Sequence, residues 1–290
     1  MTIIAPGIER AAVSQGGSGD GEQVPVLGPP NRGAGLAVAS LVIARRGLLK
    51  FLRTPQLVVV GTVQGAMFLL IFRYVFGGAI GSGGLSYVDF LVPGFVTTGI
   101  LFVGTGAAAG MAEDMAAGFI DRLRSLPLPR AAVLAGRVLS DTAQVTWSLA
   151  LTTAIGFAVG FRLHAPVPGA LSAFGLCMIF GFAFNWIFIL LGMVAGSAQA
   201  AQGLSLLIFP LTFVSSAYVP SSSMPGWLQA IANNQPITQM VDAVRALTEG
   251  PAAVARLGHG ASYFVLWSLV WAAGIVVVVA PLAILRYRRG

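Results

Sequence analysis

The sequence is short of charge. Asp, Glu, Lys and Arg make up only 9% of its 290 residues, where an ordinary soluble domain carries about 25%. A soluble chain of this length would fold as one or two domains under a solvated polar shell. With 56% hydrophobic residues, this composition cannot supply that shell. Lysine is nearly missing: Lys50 is the single one, and it follows Leu49. The Gly-Lys pair of a Walker P-loop is therefore absent, which excludes that ATP site in this chain. Cysteine is equally scarce. Cys177 stands alone inside an apolar run, so it forms no intrachain disulfide and reads as a small buried hydrophobe.

Chemistry-bearing constellations are missing too. His164 and His259 are the only histidines, and they share no ligand spacing. No His-Glu-x-x-His run, Cys pair or Gly-x-Ser-x-Gly elbow occurs. We therefore expect no catalytic, cofactor-binding or metal residue, and read both histidines as solvated at the membrane interface. Carboxylates deep in apolar runs, which a proton relay needs, are also rare. Asp89 and Asp141 fall near the ends of such runs, and Arg137, four residues before Asp141, predicts a helix-face ion pair.

What the chain has is apolar length. Mean hydropathy is +0.84, and apolar stretches long enough to cross a bilayer recur along it. The reading is an all-α integral membrane protein with six transmembrane helices, near 55–76, 88–111, 138–161, 169–196, 203–219 and 261–285. The fifth rests on LSLLIFPLTFVSSAYV with Pro210 inside it, tolerable where neighbouring helices re-satisfy the backbone. Residues 1–35 carry no sustained apolar period and are expected to be a disordered cytoplasmic tail. Residues 36–54 predict an N-terminal amphipathic interfacial helix. At 100° per residue, Leu41, Leu48 and Leu52 share one stripe, while Arg46, Lys50 and Arg53 lie opposite. The two arginines that directly follow its short apolar stretch argue against a cleaved signal peptide.

The net charge of +7 sits in short clusters flanking apolar spans, not on a continuous basic face, which argues for lipid headgroups and against nucleic acid. With the N-terminus inside, 13 of the 17 basic residues fall on the cytoplasmic side. Only Arg73, Arg162, Arg245 and Arg256 fall on the other, so both termini are expected in the cytoplasm.

Two segments between spans are irregular. EDMAAGFIDRLRSLPLPR, Glu113–Arg130, packs six charged side chains into 18 residues. Burying them unpaired in lipid would cost on the order of 15 kcal/mol at roughly 2.5–3.5 each. Glu113 and Asp114 would open a short helix and Arg122 and Arg124 close it, in keeping with the macrodipole. Met115, Phe119, Leu123 and Leu126 would form its apolar stripe. We place this helix at about 112–126, with Gly118 in its middle at a cost of about 1 kcal/mol. The second segment, about 220–250, reads as an outer re-entrant or interfacial hairpin of two short helices broken at Asn234-Gln235-Pro236. Ser223 would cap the first; Asn234 or Gln235 would cap the second, and Gly250 would end it.

Three runs carry a family resemblance: E-D-x₇-R-x-R-S-L-P-L-P-R from Glu113, VGFRLH at Val159–His164, and NNQPITQMVDAVRAL at Asn233–Leu247. In this order and topology they resemble the ABC-2 type transporter permeases, in the daunorubicin/doxorubicin-resistance-type branch. The resemblance implies the membrane subunit of an ATP-driven exporter in a bacterial plasma membrane. It implies pairing with a second permease chain, identical or related, and docking on separate ATPase subunits that hold ATP and Mg. The charged loop would be the cytoplasmic coupling helix. Phe119 and Leu123 would insert into an ATPase groove, and Glu113, Asp114, Arg122 and Arg124 would orient it by charge.

Arg46, Lys50 and Arg53 would lie on the connecting helix, and Trp227, Gln235 and Pro236 in the outer hairpin over the exit path. Drug, polyketide or lipid-like amphiphiles are the expected cargo. Thr97, Thr98, Gln144 and Asn185, polar groups inside spans, would either line the path or hydrogen-bond between helices. Glycan export, an ion-coupled secondary transporter and a non-transporting scaffold are the rival readings.

Overall fold

The computed structural model describes residues 35–53, 63, 65–77, 86–120 and 130–289. Nearly all of the expected tail and the first part of the first span lie outside them, as do Arg122, Leu123 and Arg124. No strand occurs among the described residues. In chain order the helices are α1 (Leu36–Leu52), α2 (Gly65–Val75), α3 (Tyr87–Ala116), α4 (Arg130–Val159) and α5 (Val167–Ala195). There follow α6 (Ala198–Phe213), α7 (Gly226–Asn234), α8 (Pro236–Glu249), α9 (Pro251–Leu257) and α10 (Ala261–Arg289).

Among the described residues four helices, α3, α4, α5 and α10, are long and apolar enough to cross a membrane, at 28–30 residues each. At 1.5 Å per residue that is about 42–45 Å, against roughly 30 Å of hydrocarbon. For the other two expected spans, the described residues form shorter apolar helices. The described part of α2 ends in a π-turn at Phe72–Phe76. The fifth expected span is corrected from 203–219 to α6, which starts at Ala198 and stops at Phe213. A 3-10 turn at Leu206–Ile208 divides α6, and Pro210 falls in the first turn of the piece that follows. The break gives the proline a position where its missing N–H orphans no carbonyl.

α3 is the central helix. Its membrane window is 72% buried, whereas those of α4 and α10 are only 17% buried. Small residues let its neighbours approach. A Cβ on Gly104 would collide with the Phe188 ring, and one on Gly192 with the Ala108 carbonyl and Met111. The apolar core runs along this α3–α5 seam through Leu91, Ile100, Phe180 and Phe188, with Met240 of α8. A second cluster joins Met111, Leu134, Val138, Ile189 and Tyr287 near the other end of α3. Exposed apolar side chains such as Trp147 on α4 and Leu266, Val277 and Val278 on α10 are what a lipid-facing surface requires.

α1 packs along α4 through small residues: a Cβ on Gly136 would sit 2.6 Å from the Ser40 carbonyl oxygen. Its leucine stripe, Leu41, Leu48 and Leu52, stays exposed. The hairpin differs from expectation in two ways. Pro225, not Ser223, caps α7, while Gln235 precedes α8 and Pro236 takes its first position. More important, α8 is packed inside the protein: all but two of its 14 residues are buried, against α3, α5 and α10.

Candidate functional site

The coupling segment does not begin as expected. Glu113 and Asp114 do not open a helix; they lie in the last turn of α3. The Ala117 N–H closes that turn on the Glu113 carbonyl, and Gly118 follows with φ +65°. A left-handed glycine after the final turn is a helix stop. Gly118 is therefore a terminator and no mid-helix residue, and the chain turns before Phe119 and Ile120 re-enter helix. Met115 and Phe119 accordingly share no single helical stripe.

This turn brings sequence-distant residues together. A cavity of about 320 Å³ opens between α1, the end of α3 and the start of α4, lined among others by Arg46, Lys50, Glu113, Asp114, Phe119 and Arg137. The Arg46 guanidinium lies 3.7 Å from the centre of the Phe119 ring, a cation–π distance. Thus Arg46 and Lys50 of α1 face Glu113, Asp114 and Phe119 across one cleft. Arg53, one residue past α1, is exposed and not part of the cavity wall.

Charge at the base of the cleft is paired. Arg137 Nε donates to Asp141 Oδ2 at 3.0 Å, the pair that the spacing predicts, and its Nη1 also bridges to Asp114 Oδ2. Its Nη2 reaches the Ala107 carbonyl at 3.2 Å. Gly110 makes room, since a Cβ there would lie 2.6 Å from Nη2. Asp114 is thus committed inward, at 17% exposure, and ties α3 to α4. Of the expected orienting acids, Glu113 is the exposed one. Gln144 donates to Asp141 at 3.2 Å and reaches the cavity wall. Thr97, Thr98 and Asn185 lie buried, with Thr97 bonded to the Pro93 carbonyl, Thr98 to Tyr218 Oη at 2.9 Å and Asn185 to Thr142.

At the opposite end of α3, about 37 Å away for the 25 residues from Asp89 to Asp114, lies a buried polar knot that the sequence reading missed. Arg245 of α8 is 3% exposed. Its Nε and Nη2 donate to the Phe90 carbonyl at 3.0 and 2.9 Å, Nη2 also to the Ala217 carbonyl, and Nη1 to Asp242 at 3.2 Å. Ser216 Oγ donates to the same Asp242 oxygen at 2.8 Å. Burial pulls the Arg245 guanidinium down to about 10, which still leaves it charged at neutral pH. Gln235 donates to the Leu211 and Val214 carbonyls, satisfying the frayed end of α6. Trp227 stands at the surface, 70% exposed.

The sequence profile of ABC-2 type transporters matches residues 39–248. The chain belongs to the ABC-2 type transporter family. It is 32% identical over 251 residues to the daunorubicin resistance ABC transporter permease protein DrrB1 of Streptomyces coeruleorubidus, with 86% of each chain covered. It is 27% identical over 263 residues to a probable doxorubicin resistance ABC transporter permease protein, DrrC, of Mycobacterium tuberculosis, covering 88% of this chain and 91% of that one. The inner membrane transport permease YadH of Escherichia coli is 26% identical over 253 residues, covering 80% of this chain and 94% of that one.

These similarities place the ABC-2 type chain in the drug-resistance branch, as a multi-pass permease of ABC exporter type. The matched region includes most of α1, the cleft and nearly all of α8. Both the cleft and the polar knot therefore belong to the family domain. The sequence held one signal for the knot: Asp242 and Arg245 three residues apart, with Glu249 four further on, on a helix with no other charge.

Proposed function

We propose that this ABC-2 type chain is the membrane subunit of an ATP-driven exporter, energised by a separate ATPase at the α1 cleft. The observation that carries the proposal is the convergence of Arg46 and Lys50 on Glu113 and Phe119 around one open cavity. Two charged, water-facing segments from different parts of the chain form one recess with an aromatic in it. Such a recess is suited to a protein partner, because Arg and aromatic anchors dominate interface energetics. The cleft then lies in the cytoplasm with both termini, as the basic residues flanking the spans favour.

Motion received there has a stiff route outward. Arg137 bonds α3 to α4 at the cleft, and α3 runs buried to the knot that holds α8. A push on the Phe119 turn would shift α3 against α8, whose helix hairpin stands over the outer end. Two such chains, identical or related, would enclose the path between them. The cargo we propose is a drug-like or lipid-like amphiphile, in line with the resistance permeases that the chain resembles. No observation favours a glycan.

Transport by inside-out vesicles tests this reading. Vesicles holding the chain and its ATPase are expected to accumulate daunorubicin only with ATP and Mg, and to stop when the ATPase is omitted. Accumulation driven by a proton gradient, without ATPase, would identify a secondary transporter instead.

A further inference from the structure

The knot has an anionic neighbour that the exporter reading does not use. Asp89 in the first turn of α3, His164 in the α4–α5 connection and Glu249 at the end of α8 each aim one donor atom into a common space. These atoms all lie within 4.8 Å of one another. Asp89 and Glu249 are buried, at 6% and 1% exposure, while the His164 ring is 47% exposed. His164 Nδ1 lies 2.8 Å from Glu249 Oε2. The other oxygen, Oε1, is enclosed and has no hydrogen-bond partner among the described residues.

Arg245 acts on the Glu249 carboxylate through space, but its hydrogen bonds go elsewhere. Arg245 is committed to Asp242 and to two carbonyls. Arg162 offers Asp89 only its backbone N–H, at 3.1 Å, and turns its guanidinium to the carbonyls of Phe157 and Phe161. The stretch 78–85 before α3, GAIGSGGL, holds no charge. Two buried carboxylates thus meet beside an imidazole with one enclosed oxygen unused. Buried charge of that kind is paired, protonated or bound to a metal.

We propose that Asp89, His164 and Glu249 form a divalent transition-metal site, suited to Zn²⁺, that clamps the end of α8 to the start of α3. One imidazole and two carboxylates are a donor set zinc accepts, and the exposed side of His164 leaves a fourth position for water. Tetrahedral zinc with bonds of about 2.0–2.1 Å needs donor–donor edges of ~3.3 Å. The present spread of up to 4.8 Å closes to that by small side-chain rotations. The outer partners are already in place: Ser86 Oγ donates to Asp89 Oδ2 at 2.6 Å and the Arg162 N–H to Oδ1. Such contacts fix a ligand's orientation.

The test uses the full chain, purified in mild detergent on a tag without histidine, stripped with chelator and titrated with ZnCl₂ by calorimetry. We expect one saturable Zn²⁺ per chain and a raised melting temperature. His164→Ala should weaken binding at least about 100-fold, as loss of a ligand exceeds the 10–100-fold cost of losing an outer partner. Its metal-free melting temperature should fall modestly, because the half-exposed ring also bonds the buried Glu249, so the affinity for Zn²⁺ is the deciding readout. Glu249→Gln should also lose binding, and His259→Ala should keep it. Absence of saturable binding, binding left intact by His164→Ala, or binding lost in His259→Ala each overturns the site.

Discussion

An Arg245→Met chain is expected to lose about 3–5 kcal/mol of stability, the usual cost of leaving a buried partner charge unpaired. The size follows from what the guanidinium holds. It supplies two hydrogen bonds to the Phe90 carbonyl, one to Ala217 and one to Asp242, and it lies 3.7 Å from the centre of the Phe90 ring. Removing it leaves Asp242 buried with only the Ser216 hydroxyl and frees two enclosed carbonyls. α8 would then detach from α3 and from the turn after α6. Methionine fills much of the volume, so the loss reports charge and hydrogen bonds more than cavity. Melting in detergent, followed by the monodisperse fraction on size exclusion, measures it. The double variant Asp242→Asn with Arg245→Met should recover part of the loss, because no unpaired charge remains. An Arg245→Met chain that melts with the parent would show that the knot holds nothing.

The second large effect belongs to the cleft. Phe119→Ala, combined with Arg122→Glu and Arg124→Glu, is expected to cut ATP-driven export at least about tenfold, equivalent to ~1.4 kcal/mol of lost coupling. Membrane insertion should be unchanged. Docking and folding rest on different residues here. Phe119 is only partly buried and rests against Arg46, whereas the fold at this end is carried by Arg137 with Asp114 and Asp141. Export per inserted chain and the amount of ATPase retained on purification are the readouts. Normal ATPase retention with normal export would remove the cleft from the coupling path. Loss of insertion would instead assign these residues to folding.

The spans α3, α5 and α10 were legible because hydropathy is a one-dimensional signal, and each runs nearly 30 residues without a break. The Arg137–Asp141 pair was legible for the same local reason, four residues on one helix face. Asp114 was misread because an acidic pair before a basic pair has the polarity of a fresh helix. Only the left-handed Gly118 shows that the acids end the helix before. Arg245 entered only as a charge on the outer side. Its partners Phe90 and Ala217 lie 155 and 28 residues away. No periodicity within α8 can announce carbonyls supplied by other segments. The same holds for Asp89, His164 and Glu249, which meet only because α3, the α4–α5 connection and α8 end at one level.

The central claim is that the chain draws its energy from an ATPase seated at the α1 cleft. The most direct measurement is purification of the tagged chain from its native membrane in mild detergent, with its partners identified by mass spectrometry. The account expects an ATPase subunit bearing a Walker motif, in stoichiometric amount, that leaves when Phe119, Arg122 and Arg124 are changed together. A chain that purifies without any ATPase, yet still moves its cargo in vesicles, would contradict it.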